Sequence, residues 1–495
     1  MASFSFDPRP LTPANAVRGH WLMEALQREG GEPSPEPLAE SITADVCIVG
    51  GGFAGLWTAI EIKRRAPATD VVVIEAGICG GGASGRNGGF VMTWWPKFAT
   101  LRKHCGAPAA LQLAGRTERA VGDIGKFCEE HGIDAEFRRR GWLWTATNVQ
   151  QVDAWEATVD AAAVAGAQPF ERLSREQVAQ RTGSPVHLAG VFEPTVATVQ
   201  PALLARGLVR AARDLGVRVY ERTAMTRLEL GDDVRIHTQH NRIVAGTTVL
   251  AINAWASRLP QVGRLLVVVS SDVIATEPVP DELESIGWRD GPAISDSRRL
   301  VNYYRTSSDG RVVFGKGGGT LAPTGRVGAS YLQASPRAGE VTAQFRFVYP
   351  MLWEARVDHA WRGPIDYSIT GLPFFSRLEG QPNVLIGAGF SGNGVGPAKF
   401  AGEVLAEMAT EGGDAGLPPI LTRPPAGSLP PEPIRYLGGR MVRAAIARKE
   451  AREDLGAKPR PMTKLLAGLD PTGFVDRGRQ PATPASSQEP AAPRR

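Results

Sequence analysis

A glycine turn set between two short apolar runs and answered by an acid is where this sequence first offers chemistry. Asp45–Val49 is apolar, Gly50-Gly51-Gly52-Phe53-Ala54-Gly55 has G-x-G-x-x-G spacing, and Leu56–Arg65 repeats apolar residues at helical intervals. A second run, Val71–Ile74, ends in Glu75, twenty residues beyond Gly55, where a dinucleotide fingerprint places an acid. Each residue type has a physical task. Gly50 permits a tight turn, Gly52 removes the Cβ that would block a pyrophosphate, and Gly55 lets helix and strand approach. The helix N-terminus then offers N–H groups and partial positive charge to phosphates. Glu75, followed by Ala76, would accept hydrogen bonds from a ribose. The motif predicts a bound dinucleotide and leaves FAD and NAD both open.

Two further glycine-rich stretches follow nucleotide-type strands. Ile78–Phe90 contains Gly80, Gly81, Gly82, Ser84, Arg86, Asn87, Gly88 and Gly89, a run too small in side chain to build a core. Its use is to let backbone lie flat against something large, with Arg86 and Asn87 as its long polar side chains. Gly387–Gly394 lies between a strand at Asn383–Ile386 and a helix at Pro397–Met408, which implies a second helix start facing a phosphate or a ring.

The elements that position these residues begin with strand, turn, helix and strand over Asp45–Ala76. Helices are expected at His20–Gln27, Leu111–His131, Val149–Gly166, Ala202–Leu215 and Arg440–Asp454. Strands are expected at Gly141–Thr147, Val217–Glu221, Met225–Leu230, Arg235–Thr238 and Thr247–Ala251. From Leu265 the texture becomes β-rich, with Leu265–Thr276, Val301–Tyr304 and Arg311–Gly315 forming a wall that faces the cofactor. Trp94, Trp95, Trp142 and Trp144 read as core.

At 495 residues the chain accommodates two or three domains. Its 43% hydrophobic content is that of a globular protein, and no apolar run has the length of a membrane span. The N-terminus lacks the basic and apolar regions of a secretion signal, and the four cysteines lack paired spacing, so a cytoplasmic protein with inert thiols is expected. The net charge of +5 is local: Pro433–Leu466 carries nine Lys or Arg against three acids. Small anions suit it better than nucleic acid. Packing of that basic helix against the body is preferred to a membrane-surface role, because its apolar face (Leu437, Met441, Ala444, Ala445) is weak.

Taken together, GGGFAG with Glu75, GASGRNGG, VQPALL, LAINAW, TGLPF at Thr370–Phe374 and GAGFSGNG resemble the FAD-dependent D-amino-acid oxidase superfamily, over about residues 44–410. That superfamily includes sarcosine oxidase, glycine oxidase and gamma-glutamylputrescine oxidoreductase. HWLMEAL, CGGGASGRNGGF, VVVSSD and PPEPIRYLGGRMVRAAIARKE are similar to its aminophosphonate oxidoreductase subgroup. The resemblance implies an α/β fold of mixed α+β character: a Rossmann-type FAD domain with a second, mixed-sheet substrate domain, glycine/sarcosine-oxidase-like. FAD segments are expected at 44–150, 201–262 and 369–412, and substrate-domain segments at 151–200 and 263–368. An N-terminal extension covers 1–43, a basic helical extension 413–470, and a disordered tail 471–495.

Carried over position by position, Gly50, Gly52, Phe53, Ala54, Gly55, Glu75 and Ala76 hold the ADP half. Ser84, Arg86, Asn87, Gly88 and Gly89 lie along the flavin and ribityl chain, and Met225 sits where backbone meets adenine. Gly371, Gly389, Phe390, Ser391, Gly392, Asn393 and Gly394 close over the flavin's pyrimidine edge. With all cysteines before residue 129, the FAD is expected to be non-covalent. One departure stands out. Glycine-oxidase-like members place a substrate-clamping arginine shortly after W-x-G, and here Ile365 takes that position, with Arg362 next door.

The resemblance implies oxidation of a primary or secondary amine to an imine that water hydrolyses to an aldehyde, with O2 or a respiratory carrier as electron acceptor. An aminophosphonate such as 2-aminoethylphosphonate is the expected substrate. The alternatives are gamma-glutamylputrescine, an N-methyl or D-amino acid, or a non-catalytic electron-transfer flavoprotein subunit. Lys316, Tyr303, Tyr304 and Arg362 are the catalytic candidates, with Arg305 and His359 behind them. Strand alternation turns one of the two tyrosines inward without saying which. Arg86, Lys97, Lys316 and Arg362 are the reservoir of cations for an anionic substrate.

Overall fold

The apolar run that opens the glycine turn is the spine of the first sheet. In the computed structural model, which describes residues 3–5, 18–31, 36–289, 291–425 and 427–470, the strand Ile42–Val49 lies between Val71–Ile74 and Arg242–Leu250, parallel to both. Arg218–Tyr220 extends the parallel set on one side and Gln381–Ala388 on the other, with Phe374–Leu378 antiparallel beyond it. Both faces of the central strands are covered, as parallel sheets require. Val46 and Ile48 enter one core with the helices Phe53–Arg65, Phe98–Glu130, Pro201–Asp214 and Gly396–Thr410, while Cys47 and Val49 enter a second core on the opposite face.

A second sheet of eight strands carries the wall. Its order is Val357–Ser368, Leu266–Thr276, Val312–Lys316, Asn302–Thr306, Ala293–Asp296, Trp142–Ala146, Ala189–Glu193 and Glu171–Leu173. Both parallel and antiparallel pairs occur in it, so the sheet is mixed. The helix Ala338–Val348 packs behind it through Val341, Phe345 and Val348. The helix His20–Arg28 packs in front, where Trp21 and Leu22 meet Val273, Val313 and Trp361.

Several elements depart from the expected bounds for local reasons. The helix expected at Leu111–His131 begins at Phe98 and is broken at Gly106, whose φ of 77° no helix accommodates. The helix expected over Val149–Gly166 is reduced to Glu156–Val164, because Asp153 takes a positive φ of 64°. The basic C-terminal segment forms Ile434–Asp454 and Pro461–Ala467. Its supposed apolar face does not act as one surface: Ala445 is buried, whereas Leu437 and Met441 are exposed. The helix meets the body partly through acids, with Glu450 accepting from the Arg299 and Leu300 N–H groups (2.6 and 3.2 Å) and Asp454 from Arg298 Nη2 (2.6 Å). The expected tail at 471–495 lies outside the described residues.

Candidate active site

Three glycine loops from the first sheet converge on the front of the second. In the first loop, Gly50 has φ +115°, its N–H donates to Ile74 O, and a Cβ on it would lie 2.4 Å from Ala251 O. A Cβ on Gly55 would lie 2.0 Å from Gly50 O, so only glycine allows the helix this close to the turn. At Gly52 an added Cβ would meet only Ser84 Oγ, at 3.0 Å. Gly52 caps the helix without a side-chain bond, and Phe53 N–H donates to Ser84 Oγ at 2.9 Å. Glu75 accepts from Gly51 N–H (2.8 Å) and Gly77 N–H (2.9 Å), one on each oxygen, while burial pushes its pKa up. Each carboxylate oxygen retains acceptor capacity for a ribose. Thr223 N–H donates to Glu75 O and Arg222 N–H to Gly77 O, both at 2.8 Å, which straps the chain leading to Met225 alongside Glu75 and Ala76.

The second loop is held flat against the wall. Asn87 Oδ1 accepts from Gly89 N–H (2.7 Å) and its Nδ2 donates to Ser84 O (2.8 Å). Arg86 donates from Nε to Gly81 O (2.9 Å) and from Nη1 to Arg362 O (3.2 Å), and burial lowers its pKa to about 10. These two side chains therefore shape the loop. A Cβ on Gly88 would lie 2.8 Å from the Tyr303 ring, and one on Gly89 (φ +76°) 2.1 Å from Val199 O. The buried Arg305 closes the junction by donating to Gly88 O (2.8 Å), Val199 O (2.6 Å) and Thr306 O (3.2 Å).

The third loop takes positive φ at Gly389, Ser391 and Gly392. Its anchor is Asp366, fully buried, which accepts from Gly389 N–H at 2.6 Å and from Asn253 Nδ2 at 3.2 Å. Burial raises the Asp366 pKa to about 7. Phe390 is buried against Phe375, and Gly371 O accepts from Lys97 Nζ. Asn393 Nδ2 donates to Thr93 O (3.2 Å), and Thr93 Oγ1 donates to Glu193 (2.5 Å), whose pKa burial raises to about 8.

Glu193 makes stability pH-dependent in a definite direction. A carboxyl whose folded pKa exceeds its unfolded value binds its proton more tightly when folded, so stability falls as pH rises from about 4.5 to about 8. Glu193→Gln is expected to raise the melting temperature at pH 8 and leave it nearly unchanged at pH 4.5. Equal effects at both values in a thermal-denaturation series would count against this.

The wall separates the four catalytic candidates by face. Tyr303 points forward: its ring packs on Phe90, and its hydroxyl is 2.8 Å from Ser271 Oγ. Tyr304 points behind the sheet, stacked on Phe314 at 4.9 Å with its hydroxyl 3.2 Å from His187 Nε2. Lys316 also lies behind, donating to Leu300 O and Asn302 Oδ1, both at 3.2 Å, and burial lowers its pKa. Arg362 is paired in register with Asp272, itself paired with Lys316, and its guanidinium lies 5.4 Å over the Tyr331 ring. Cross-strand partners share a face. Tyr304, Lys316 and Arg362 therefore sit on the side of the sheet opposite Tyr303. The expected inward position of Lys316 and of Arg362 is corrected by this register. His359 stacks on His20 at 4.3 Å, beside the N-terminal helix.

The front positions facing the loops are Ser271, Tyr303, Gly363, Ile365 and Tyr367. Ile365 Cδ1 and Tyr367 Oη lie 3.7 and 3.6 Å from the place of a Cβ on Gly392. Ser271, Tyr367, Asp366 and Asn253 were not among the candidates read from the sequence. Period-2 alternation from Tyr303 would have found the first two had the strand register been known.

The cradle fits FAD. Gly52 leaves room at a helix start, Glu75 offers a carboxylate where a ribose would lie, and Asn253 Oδ1 and Asn393 Oδ1 are buried acceptors without a hydrogen-bond partner among the described residues. A loop of backbone N–H groups pinned by Asp366 completes the enclosure.

This constellation defines a two-domain flavoprotein. The chain belongs to the FAD dependent oxidoreductase family (DAO), matched over residues 45–408. It is 32% identical over 374 residues to a probable oxidoreductase, OrdL, of Rhizobium meliloti (strain 1021), covering 74% of this chain and 83% of the relative. It is 28% identical to the gamma-glutamylputrescine oxidoreductase of Escherichia coli (strain K12), covering 75% of this chain and 85% of that protein. The fold is that of glycine oxidase from Geobacillus kaustophilus, with a TM-score of 0.64 at 21% identity over 78% of this chain and 100% of that one. The protein is an FAD-dependent oxidoreductase of the amine and amino-acid oxidising group. Among the described residues, no helix is long and apolar enough to cross a membrane, and no cluster of His, Cys, Asp and Glu forms a metal site.

Proposed function

We propose that this protein oxidises the C–N bond of an amine other than a simple α-amino acid, with an aminophosphonate such as 2-aminoethylphosphonate or its N-methyl form as the substrate. The observation that carries the reading is the alternation along Val357–Ser368: Ile365 faces the loops where a carboxylate clamp would stand, and Arg362 faces away. A substrate here meets hydroxyl groups and an apolar side chain. The Tyr367 hydroxyl and the one proton left free by the Ser271–Tyr303 hydroxyl pair are the front-face donors available to phosphonate oxygens. FAD, held non-covalently by the three loops, supplies the capacity to accept a hydride equivalent from the carbon bearing nitrogen. Buried surroundings favour the neutral amine, the form that releases hydride.

Tyr303 acts as a positioning donor in this scheme. Burial drives its phenol pKa well above the ordinary range, so it stays protonated and is unsuited to take a proton from the ammonium. Tyr303→Phe is expected to raise KM about five- to tenfold, the worth of one hydrogen bond, with flavin content unchanged. Unaltered kinetics would remove the hydroxyl from the substrate's path.

A second reading, oxidation of a gamma-glutamylated polyamine, is favoured by the same lack of a clamp at Ile365 and by the similarity to the Escherichia coli enzyme. Anaerobic titration of the flavin absorbance separates the readings. Bleaching by 2-aminoethylphosphonate or its N-methyl form, and not by gamma-glutamylputrescine, sarcosine or D-alanine, supports the phosphonate. Bleaching by gamma-glutamylputrescine alone selects the polyamine, and a yellow protein that no amine reduces would shift the reading to an electron-transfer subunit. Reoxidation in air against reoxidation by a quinone analogue identifies the acceptor as O2 or a respiratory carrier. The cytoplasm is the expected location.

A further inference from the structure

We propose that the outward face of the C-terminal extension, residues 434–469, is a docking surface for an anionic phospholipid bilayer. The first observation is where its charges point. The segment holds nine Lys or Arg and three acids, and all three acids are engaged, Glu450 and Asp454 by the body of the protein and Glu453 by Lys449 of the same helix. Glu450 accepts from the N–H groups of Arg299 and Leu300. Asp454 accepts from Arg298 Nη2 and Asn148 Nδ2 (2.6 and 2.8 Å), and Glu453 from Lys449 Nζ (2.8 Å). Arg435 and Arg443 also turn inward, onto Gly263 O and Gly318 O, and the charges left exposed are all basic: Arg440, Arg448, Arg452, Lys458, Arg460 and Lys464.

The second observation is apolar. Ile434, Leu437 and Met441 are 62, 54 and 59% exposed, and their spacing of three and then four residues places them on one stripe of the helix. Arg448, Arg452 and Leu455 continue that stripe, and all three are exposed. The short helix Pro461–Ala467 adds exposed Met462 and Leu465 around Lys464. More than half of the large apolar side chains exposed among the described residues lie in this one extension. On an ordinary surface such residues are scattered singly. Here apolar and cationic groups share a ridge on which none of the segment's three acids is exposed.

That composition matches an interfacial helix, with apolar groups entering the headgroup boundary and bases meeting anionic headgroups. The outer side of a helix is convex and offers no groove, which suits insertion among lipids better than the seating of a partner's side chain. Neither helix has the length and hydropathy to span the bilayer. Anchored through Glu450 and Asp454 to the turn at 298–300, the ridge is fixed relative to the strand Asn302–Thr306 that carries Tyr303.

The test is sedimentation of the full-length flavoprotein with phosphatidylcholine vesicles, with and without phosphatidylglycerol, over a salt series. Binding is expected with phosphatidylglycerol at low salt, at least tenfold weaker without it or at high salt. The double variants Leu437→Glu/Met441→Glu and Arg448→Glu/Arg452→Glu should each lower partitioning about tenfold or more. Flavin content, melting temperature and amine turnover should stay unchanged. Wild-type protein that remains in the supernatant at low salt would overturn the proposal. So would variants that bind as well as wild type, or variants whose effect in light scattering is to disperse a dimer.

Discussion

Gly52→Ala is expected to give a folded protein that has lost FAD, and Gly55→Ala a protein that loses both. The difference lies in what each added methyl meets. At Gly52 the Cβ would touch only the Ser84 hydroxyl, at 3.0 Å, so the chain accepts it while the space beside the helix start is filled. At Gly55 the Cβ would lie 2.0 Å from Gly50 O, backbone against backbone, and helix and strand must separate. Overpacking of this kind costs about 1–3 kcal/mol, and 3 kcal/mol corresponds to roughly 100-fold in affinity. Flavin-to-protein absorbance ratios and FAD titration of apoprotein, read beside thermal melting, distinguish the two variants. A fully yellow Gly52→Ala protein would mean that no phosphate lies at this turn.

Arg305→Met is expected to uncouple the second sheet from the glycine loops. Arg305 is buried, and its guanidinium reaches the carbonyls of Gly88, Val199 and Thr306 while lying 5.0 Å over the Trp21 ring. Its pKa, lowered by burial to about 10, leaves it charged at neutral pH. Each buried carbonyl left without a donor costs about 1–3 kcal/mol, so the loss approaches the whole stability of a domain, about 5–15 kcal/mol. The expected result is a large fall in melting temperature together with loss of FAD. Arg305→Lys should rescue little, because one ammonium cannot span three carbonyls in a fixed fork. A variant with near-native melting and full flavin content would show that the Gly88 loop is held by other means.

The chain's two halves were unequally legible. The glycine turn is a local structure: Gly50, Gly52, Gly55 and Glu75 lie within one βαβ unit, so their part in a dinucleotide fingerprint could be read from spacing. The same holds for the helices after the two turns, expected at Leu56–Arg65 and Pro397–Met408 and observed at Phe53–Arg65 and Gly396–Thr410, and for central strands whose apolar runs admit only burial on both faces. The wall is different. Tyr303 and Tyr304 are chemically alike neighbours, and the face each takes is decided by antiparallel register with Val312–Lys316, ten residues further along the chain. The same register carries Lys316 behind the sheet with Asn302, although the three glycines after it suggested an exposed approach to the flavin.

Arg362 and Ile365 make the point most clearly. Sequence proximity suggested that an arginine three residues away would serve in place of the missing clamp. A strand alternates its side chains, so positions three apart face opposite ways, and Arg362 meets Tyr331 while Ile365 meets the Gly392 loop. Asp366 and Asn253 were invisible for a related reason: a carboxylate and an amide 113 residues apart become one anchor only when the two sheets meet. The basic extension divides in the same way. Its helicity and charge are properties of its composition, but tertiary packing drew Glu450, Glu453 and Asp454 inward and left Leu437 and Met441 outside. Local spacing determined the dinucleotide fingerprint, because such a turn is built from consecutive backbone, while FAD and the family rested on the resemblance of several separate motifs and on the match over residues 45–408. The sheet's register decided which side chains face the glycine loops, because a period of two turns a shift of one residue into a change of face.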